Sequence, residues 1–365
     1  MLGYRKIGPL SGYKVIEISD YPVGCILGML LADQGADVFK IQPACRYPVV
    51  GSPEFSVWNR GKTLIRLDDF CSDPLSIFND HVRNSDIFIE NTNPCNQIPF
   101  PKTYNELKDM FPKLICVSLP GFPKNHEFQH IPPDEYLVSA ASGIYALNPS
   151  GELPIEGEGP SFHELYYSSS FAAITAAPAI IAAMLHRNIV GTGQQITVPV
   201  HDAMYQGMGT ALVRHSGRNH GKQIGHPILK RFYQCKDKKW VNINFDSLRF
   251  LEPFLKFTGH SDWIDFFKDL DVSKINKDIE KHWFTKIDEL WKTRTADDWE
   301  EQLSELGIPC TKCRTIDEWL MLSHPLEAGI VINVDDPIYG PMKQPGLLVS
   351  NLEHKIPAIA SKQVE

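Results

Sequence analysis

The chain has 365 residues, of which 43% are hydrophobic and 22% are charged, and its formal net charge is −8. This length predicts about two domains, and the negative charge argues against nucleic acid or an anionic membrane as a partner. No run approaches the roughly 18 apolar residues of a membrane span. Residues 1–6 leave no room for a signal peptide before the first strand, so we expect a cytoplasmic protein.

The first predicted unit is a strand, a helix and a second strand. Tyr13–Ile18 is typical of a buried strand, and residues 36–41 form the second one. Gly24–Gln34 carries apolar residues at helical spacing, and Gly35 would cap the C-terminus of that helix. The turn lacks G-x-G-x-x-G, and the second strand ends at Gln42 rather than at an acid, so NAD is not expected as a cofactor.

The same alternation continues along the chain and predicts a doubly wound parallel α/β sheet. Further strands are predicted at residues 63–67, 86–90, 114–119 and 195–200, and helices at residues 74–82, 104–110, 134–146 and 163–187. Pro178 lies inside the last helix. It is expected to kink or break that helix, because proline removes a backbone donor.

A second, smaller α+β domain is predicted after a loop at residues 214–230. Residues 232–235 and 240–244 predict a hairpin, and three or four helices follow between residues 248 and 306. Turn-rich strands are predicted again at residues 329–334 and 346–349.

The eight cysteines show neither a disulfide framework nor a metal motif. Cys310 and Cys313 form the only C-x-x-C, and no second pair or neighbouring histidine stands at metal-ligand spacing. We expect reduced thiols at a strand edge, a reducing compartment and no bound metal.

Several segments resemble class III CoA-transferases, the superfamily of formyl-CoA transferase, carnitine CoA-transferase and 2-methylacyl-CoA racemase. The likeness begins with L-S-G-Y-K-V-I-E at residues 10–17, L-L-A-D-Q-G-A-D-V-F-K-I at residues 30–41 and W-N-R-G-K at residues 58–62. It continues in order at residues 86–91, 114–122, 142–143, 182–184, 191–196 and 340–346. The chain is therefore identified as a divergent member of that superfamily.

The resemblance implies a domain plan and an assembly. Residues 1–213 and 325–365 would form a large Rossmann-like CoA-binding domain, and residues 225–320 would form the small α+β domain inserted between them. Two such chains would interlock, either as a homodimer or as a heterodimer with a paralogous catalytic subunit.

The resemblance also implies the chemistry of the site. A family aspartate attacks the acyl-CoA thioester and forms a mixed anhydride, which is as reactive as the thioester it replaces. Counting back from residues 181–184 places Ser169 at that aspartate's position. Glu164 is the nearest carboxylate in sequence and would join the site if the helix began earlier. Glu135 matches an acid that the family usually carries.

The coenzyme is expected at turns after the strands of the first lobe. The predicted CoA contacts are Tyr21, Pro22, Val23, Lys40, Arg46, Asn91, Asn93, Pro94 and Gly121. Arg60 and Lys62 are further cations available for phosphates. The run E-N-T-N-P at residues 90–94 departs from the family, because the arginine that usually follows is missing and Lys102 is the first cation downstream. A glycine-rich lid is also missing, so oxalate specificity is not expected.

Three functions follow from the resemblance. The first is transfer of CoA between an acyl-CoA and an organic acid. The second is a catalytically silent, CoA-binding subunit of a hetero-oligomer, which the missing aspartate and arginine both favour. The third is acyl-CoA racemization, for which the family uses a His-Asp pair. The comparable place here reads Asp134-Glu135, without the histidine.

Overall fold

A computed structural model describes residues 8–43, 52–67, 73–93, 101, 103–146, 159–212, 228–245, 247–268, 275–347, 349 and 362–364. The Cα positions divide the chain into two compact units. The larger unit comprises Met1–Ser216 with Ser323–Glu365, and the smaller comprises Gly217–Leu322. Assignment of the larger unit as a CoA-binding domain stays a prediction.

Twelve strands and thirteen α-helices lie within the described residues. The strands are β1 (Lys14–Ser19), β2 (Asp37–Pro43), β3 (Thr63–Leu67), β4 (Ile87–Asn91), β5 (Ile115–Ser118), β6 (Gln195–Thr197), β7 (Lys230–Gln234), β8 (Trp240–Asn244), β9 (Cys310–Lys312), β10 (Val331–Asp336), β11 (Gly340–Pro345) and β12 (Lys362–Val364). The helices are α1 (Pro22–Asp33), α2 (Pro53–Trp58), α3 (Pro74–Arg83), α4 (Tyr104–Leu107), α5 (Glu135–Ser142), α6 (Tyr167–Val190), α7 (Val200–Gly207), α8 (Leu248–Phe257), α9 (Ile264–Lys268), α10 (Lys277–Trp291), α11 (Ala296–Glu305), α12 (Ile316–Leu320) and α13 (Ser323–Glu327).

A seven-stranded parallel sheet organises the larger unit. Its strand order is β12-β3-β2-β1-β4-β5-β6, which contains the Rossmann order 3-2-1-4-5-6. The order reverses between β1 and β4, and ligands of such sheets bind at the carboxyl ends of the strands beside that reversal. The predicted doubly wound α/β class is confirmed.

Alternation along β1 explains why both faces of the sheet are covered. Val15 belongs to a core shared with α1, α6 and α7, whereas Ile16 and Ile18 point to the opposite face, toward α3 and α4. Successive side chains of a strand point to opposite faces, so Glu17 lies on the α1 side with Val15. This places a carboxylate beneath α1.

Helix α6 is continuous, so the predicted break at Pro178 is wrong. Pro178 lies on the exposed side of the helix, where water can solvate the carbonyl that it leaves unpaired. In length and composition, α6 alone among the described helices would suffice to cross a membrane. Its buried alanines, Ala172, Ala173 and Ala176, belong to the core beside the sheet, as in the core helix of a globular protein.

The C-terminal hairpin of β10 and β11 lies in the larger unit. The strand predicted at residues 346–349 is instead β11, which ends at Pro345. The guanidinium of Arg60 donates to the carbonyl oxygens of Pro345 and Gly346, and Ser56 donates to a carboxylate oxygen of Asp336. These bonds connect the C-terminal hairpin to α2 and to the segment that follows it.

The smaller unit has its own sheet and its own core. Strands β7, β8 and β9 form an antiparallel sheet, which confirms the predicted hairpin. Aromatic rings fill its core: Phe254 and Trp291 stack at a centroid distance of 5.2 Å, and Trp299 lies tilted against Trp291 at 4.7 Å.

Candidate active site

A buried carboxylate lies against the N-terminus of α6. Asp134 caps α5 by accepting from the N–H groups of Tyr136 and Leu137, which leaves Glu135 as the first residue of that helix. The Glu135 carboxylate is 2% exposed and accepts from Ser168 N at 2.9 Å and Ser169 N at 2.8 Å. The first N–H groups of a helix have no partner within it and carry partial positive charge, so they stabilise an anion there.

Two serine hydroxyl groups are linked to this carboxylate by hydrogen bonds. Ser139 lies one turn after Glu135 on α5 and donates to Glu135 Oε1 at 3.0 Å. Ser139 Oγ is also 2.7 Å from Ser168 Oγ. A serine hydroxyl has one proton, so Ser168 must donate to Ser139 while Ser139 donates to Glu135. The result is a buried chain of hydrogen bonds that ends on a carboxylate.

Ser169 is the third residue of α6 and is fully buried. Within the described residues its hydroxyl has no hydrogen-bond partner. Its backbone N–H contacts Glu135, but no base contacts its Oγ. Ser169 and Glu135 are thus brought together through the backbone alone.

Glu164 is not part of this cluster. Its side chain is exposed, and it precedes the first residue of α6 by three positions. The predicted earlier start of the helix at residue 163 is wrong, because α6 begins at Tyr167. Glu164 therefore does not enter the first helical turn.

Aromatic rings surround the same helix end and are called the aromatic rim below. The rim consists of Tyr136, Tyr145, Phe162, His163, Tyr166 and Tyr167. Trp58 meets Tyr166 edge to face at a centroid distance of 4.8 Å. Burial, helped by neighbouring Tyr136, raises the pKa of Tyr166 to about 12. The Tyr166 hydroxyl is therefore neutral at pH 7.

The carboxyl edge beside the strand reversal is closely packed. Asn91 Oδ1 accepts from Gly24 N at 3.2 Å, and its Nδ2 donates to the carbonyl oxygen of Leu119 at 2.7 Å. Tyr21, Pro22 and Val23 are buried at the start of α1. The Asn91 amide thus joins α1 to β5, so the predicted CoA contact would require breaking these bonds.

Two other predicted CoA contacts lie nearer to open space. Asn93 is half-buried and donates its N–H to Asp20 at 3.3 Å. Gly121 lines a cavity of about 230 Å³ at the carboxyl ends of β4 and β5, together with Glu90 and Ser118. A Cβ at Gly121 would lie 2.8 Å from the carbonyl oxygens of Ile131 and Pro132, so only glycine fits there. Arg46 and Pro94 lie outside the described residues.

Lys40 was predicted as a phosphate contact, but its ammonium is buried. Its Nζ lies 2.7 Å from Glu17 Oε1, 2.6 Å from Ser19 Oγ and 2.9 Å from Cys25 Sγ. Lys62 contacts the other oxygen of Glu17 at 2.7 Å, and Arg60 pairs with Asp33. Each of these three cations is already paired with a carboxylate, so binding a phosphate would require breaking those ion pairs. A role of Lys40 in CoA binding stays a prediction, as does that of Arg60 and Lys62.

Sequence reasoning missed several residues of the site. Ser139 and Ser168 carry no motif of their own, although Ser139 stands at helical i+4 spacing from Glu135. The density of aromatic residues at positions 162–167 could have indicated the rim. Among the described residues, no group of three or more His, Cys, Asp or Glu side chains could hold a metal ion.

Comparison with known proteins identifies the family. The family model described as "CoA-transferase family III" matches residues 10–360. The chain is 28% identical to "CoA-transferase/lyase DddD" of Marinomonas sp. (strain MWYL1), over 93% of this chain but only 46% of that protein. It is 24% identical to "(R)-2-hydroxy-4-methylpentanoate CoA-transferase" of Clostridioides difficile, over 85% of this chain and 81% of that one.

The fold comparison agrees. The crystal structure of Rv3272 from M. tuberculosis superposes with a TM-score of 0.81 at 17% identity, covering 98% of this chain and 97% of that one. The chain belongs to CoA-transferase family III, because the family model covers nearly its whole length and the fold is shared.

Proposed function

We propose that the protein binds an acyl-CoA and transfers CoA to the carboxylate of an organic acid at the N-terminus of α6. The observation that carries this proposal is the buried Glu135 carboxylate held by the N–H groups of Ser168 and Ser169. It lies beside Ser169, which we propose stands at the position of the family's aspartate. CoA itself would bind at the carboxyl edge of the sheet, near Asn93 and Gly121.

The identity of the nucleophile sets the expected rate. A carboxylate attacks the thioester carbonyl, the CoA thiolate leaves and an anhydride forms, and the anhydride preserves the energy of the thioester. A serine would form an ester, which is more stable and returns CoA less readily. Because Ser169 lacks a contacting base, we propose that the isolated chain transfers CoA slowly.

Restoring the carboxylate tests this proposal. Ser169→Asp should raise the rate of CoA transfer at least tenfold over wild type, because a carboxylate forms an anhydride that preserves the energy of the thioester. The rate is measured by mass spectrometry of the acyl-CoA products. Ser170→Asp, one residue further along α6, is the matched control and should give no gain. If wild type transfers CoA rapidly and the Ser169→Ala and Glu135→Gln variants do so as well, the active site lies elsewhere.

A catalytically silent, CoA-binding subunit is the second candidate. It is favoured by the two helix N–H groups already bonded to Glu135 and by the missing base at Ser169. In that case calorimetry would detect CoA binding, while Ser169→Asp would still show no turnover without a catalytic partner. Hydroxylamine trapping after incubation with acyl-CoA would label no residue of this chain.

We further propose a dimer, formed with a second copy or with a paralogous catalytic subunit. The outer side of α6 supports it, since Leu185 is 61% and Ile189 is 84% exposed. We also propose a reducing, cytoplasmic location. All five described cysteines are free, including Cys310 and Cys313 of the C-x-x-C.

A further inference from the structure

The aromatic rim is more exposed to solvent than we expect of rings that only stabilise the fold. Phe162 is 62% exposed, Tyr136 37% and Tyr167 39%. The ring of Phe162 nevertheless contacts two others, with centroids 5.1 Å from Tyr136 and 5.5 Å from Tyr145. Exposed aromatic side chains that converge beside a site are typical of a surface that binds an apolar ligand.

The rim is adjacent to the buried carboxylate. Tyr136 directly follows Glu135, and Tyr166 and Tyr167 directly precede Ser168. Tyr145 joins the rim through Phe162 and His163, whose ring centroids lie 5.5 Å and 6.2 Å from its own. A thioester carbonyl placed at the N-terminus of α6 would therefore have its acyl chain within reach of the rim.

The charge around the rim bears on which acyl group it could bind. Within the described residues, every lysine or arginine found over an aromatic ring lies on a ring outside the rim. Only His163 among the rim residues can become positively charged. A dicarboxylic acid would need a cation for its distal group, whereas a neutral ring is stabilised by contact with other aromatic rings beyond the area it buries.

We infer that the aromatic rim binds the side chain of an aryl, or similarly large apolar, monocarboxylic acid carried as its CoA thioester. This inference rests on the proposed CoA-transferase function and names its substrate class. Succinyl-type and short-chain acids would be poor ligands, because the first leaves a charge unpaired and the second leaves the rings uncovered.

Calorimetry with three ligands tests the inference. The ligands are free CoA and the unreactive thioether analogues of phenylpropionyl-CoA and succinyl-CoA. We expect the aryl analogue to bind about tenfold more tightly than the succinyl analogue, which corresponds to about 1.4 kcal/mol. Phe162→Ala should remove most of this advantage and leave the affinity for free CoA unchanged.

Two further variants sharpen the result. Phe162→Lys supplies the missing cation and should reverse the preference in favour of the succinyl analogue. Leu75→Ala, an exposed apolar residue on α3, should change neither affinity. If free CoA does not bind, the proposed function fails. If free CoA binds but the succinyl analogue binds as tightly as the aryl analogue, or Phe162→Ala retains the aryl preference, the inference is wrong.

Discussion

At the scale of single residues, the most constrained group is the carboxylate of Glu17. Burial alone would raise the pKa of Glu17, but attraction to Lys40 and Lys62 outweighs burial and lowers it. Burial lowers the pKa of Lys62, whereas attraction to Cys25 and Glu17 overcomes burial and raises that of Lys40. One carboxylate therefore forms ion pairs with two buried lysines.

Gly28 on α1 provides the space for this arrangement. A Cβ at position 28 would lie 1.9 Å from Glu17 Oε2 and 2.9 Å from Lys62 Nζ. Glycine costs helix stability of about 1 kcal/mol relative to alanine, so its presence inside α1 needs a reason. The buried ion pair is that reason.

We predict that Glu17→Gln destabilises the protein by about 3–5 kcal/mol, because two buried ammonium groups lose their carboxylate. The free energy of unfolding from urea titrations at pH 7 measures the effect. Glu252→Gln, which removes an exposed pair with Lys256, is the control and should leave stability unchanged. A loss for Glu17→Gln no larger than for the control would contradict the prediction.

The same carboxylate predicts a dependence on pH. The pKa of Glu17 in the folded protein lies below its ordinary value of 4.5. Its ion pairs therefore contribute fully above pH 4.5, and that contribution is lost as the pH falls through the lower folded value. Wild type should lose its stability advantage over Glu17→Gln progressively below pH 4.5. An advantage that stays constant down to pH 2 would contradict this account.

At the scale of elements, Arg60 connects the end of α1 to the C-terminal hairpin. Its Nη2 lies 2.6 Å from Asp33 Oδ2 at the end of α1, and the same guanidinium donates to carbonyl oxygens of Pro345 and Gly346. The hairpin of β10 and β11 has only two strands, and such a hairpin is marginally stable by itself. It therefore depends on contacts of this kind.

We predict that Arg60→Met speeds hydrogen exchange of the β10 and β11 amides at least tenfold, because the hairpin loses these bonds to the guanidinium. Exchange is followed by mass spectrometry of peptides. The amides of α3 serve as an internal control and should be protected as in wild type. Arg314→Met, which breaks an ion pair with Glu300 in the smaller unit, should leave the hairpin unchanged. Equal acceleration in α3 and in the hairpin would contradict a local role.

At the scale of the whole molecule, the outer side of α6 remains uncovered in a single chain. Its middle and C-terminal half, together with α1, lines an apolar cavity of about 610 Å³ that includes Ile181, Met184 and Leu185. Exposed apolar patches of this kind mark interaction surfaces. The proposed dimer would cover this side of the helix.

We predict that the protein is a dimer at micromolar concentration, measured by light scattering after gel filtration. The double variant Ile181→Lys, Leu185→Lys should be monomeric, because two charges would have to be desolvated at the interface. Leu75→Lys on α3 should stay dimeric. A folded wild-type monomer, or a double variant that is still dimeric, would contradict the prediction.

The sequence alone determined the parallel α/β class, the hairpin of the smaller unit and the family. These features are local or repeated. The run from Tyr13 to Ile41 carries a strand, helix and strand in its own spacing, and the family motifs recur in fixed order. The position of Glu135 at the start of a helix also follows from local signals, since Asp134 is a good N-cap.

Only the tertiary structure decided which polar groups meet. Nothing in the sequence distinguishes Lys40 from an ordinary lysine on a strand, yet it is buried because Glu17 on the neighbouring strand points to the same face. Glu135 and Ser168 are 33 positions apart, and Asn91 at the end of β4 bonds Leu119 at the end of the neighbouring β5. Spacing along the chain predicts which face a side chain occupies, but its partner depends on which elements the fold packs against that face. The sequence therefore predicted where the candidate site lies along the chain. Which hydrogen bonds and ring contacts form there was decided by the packing of the elements.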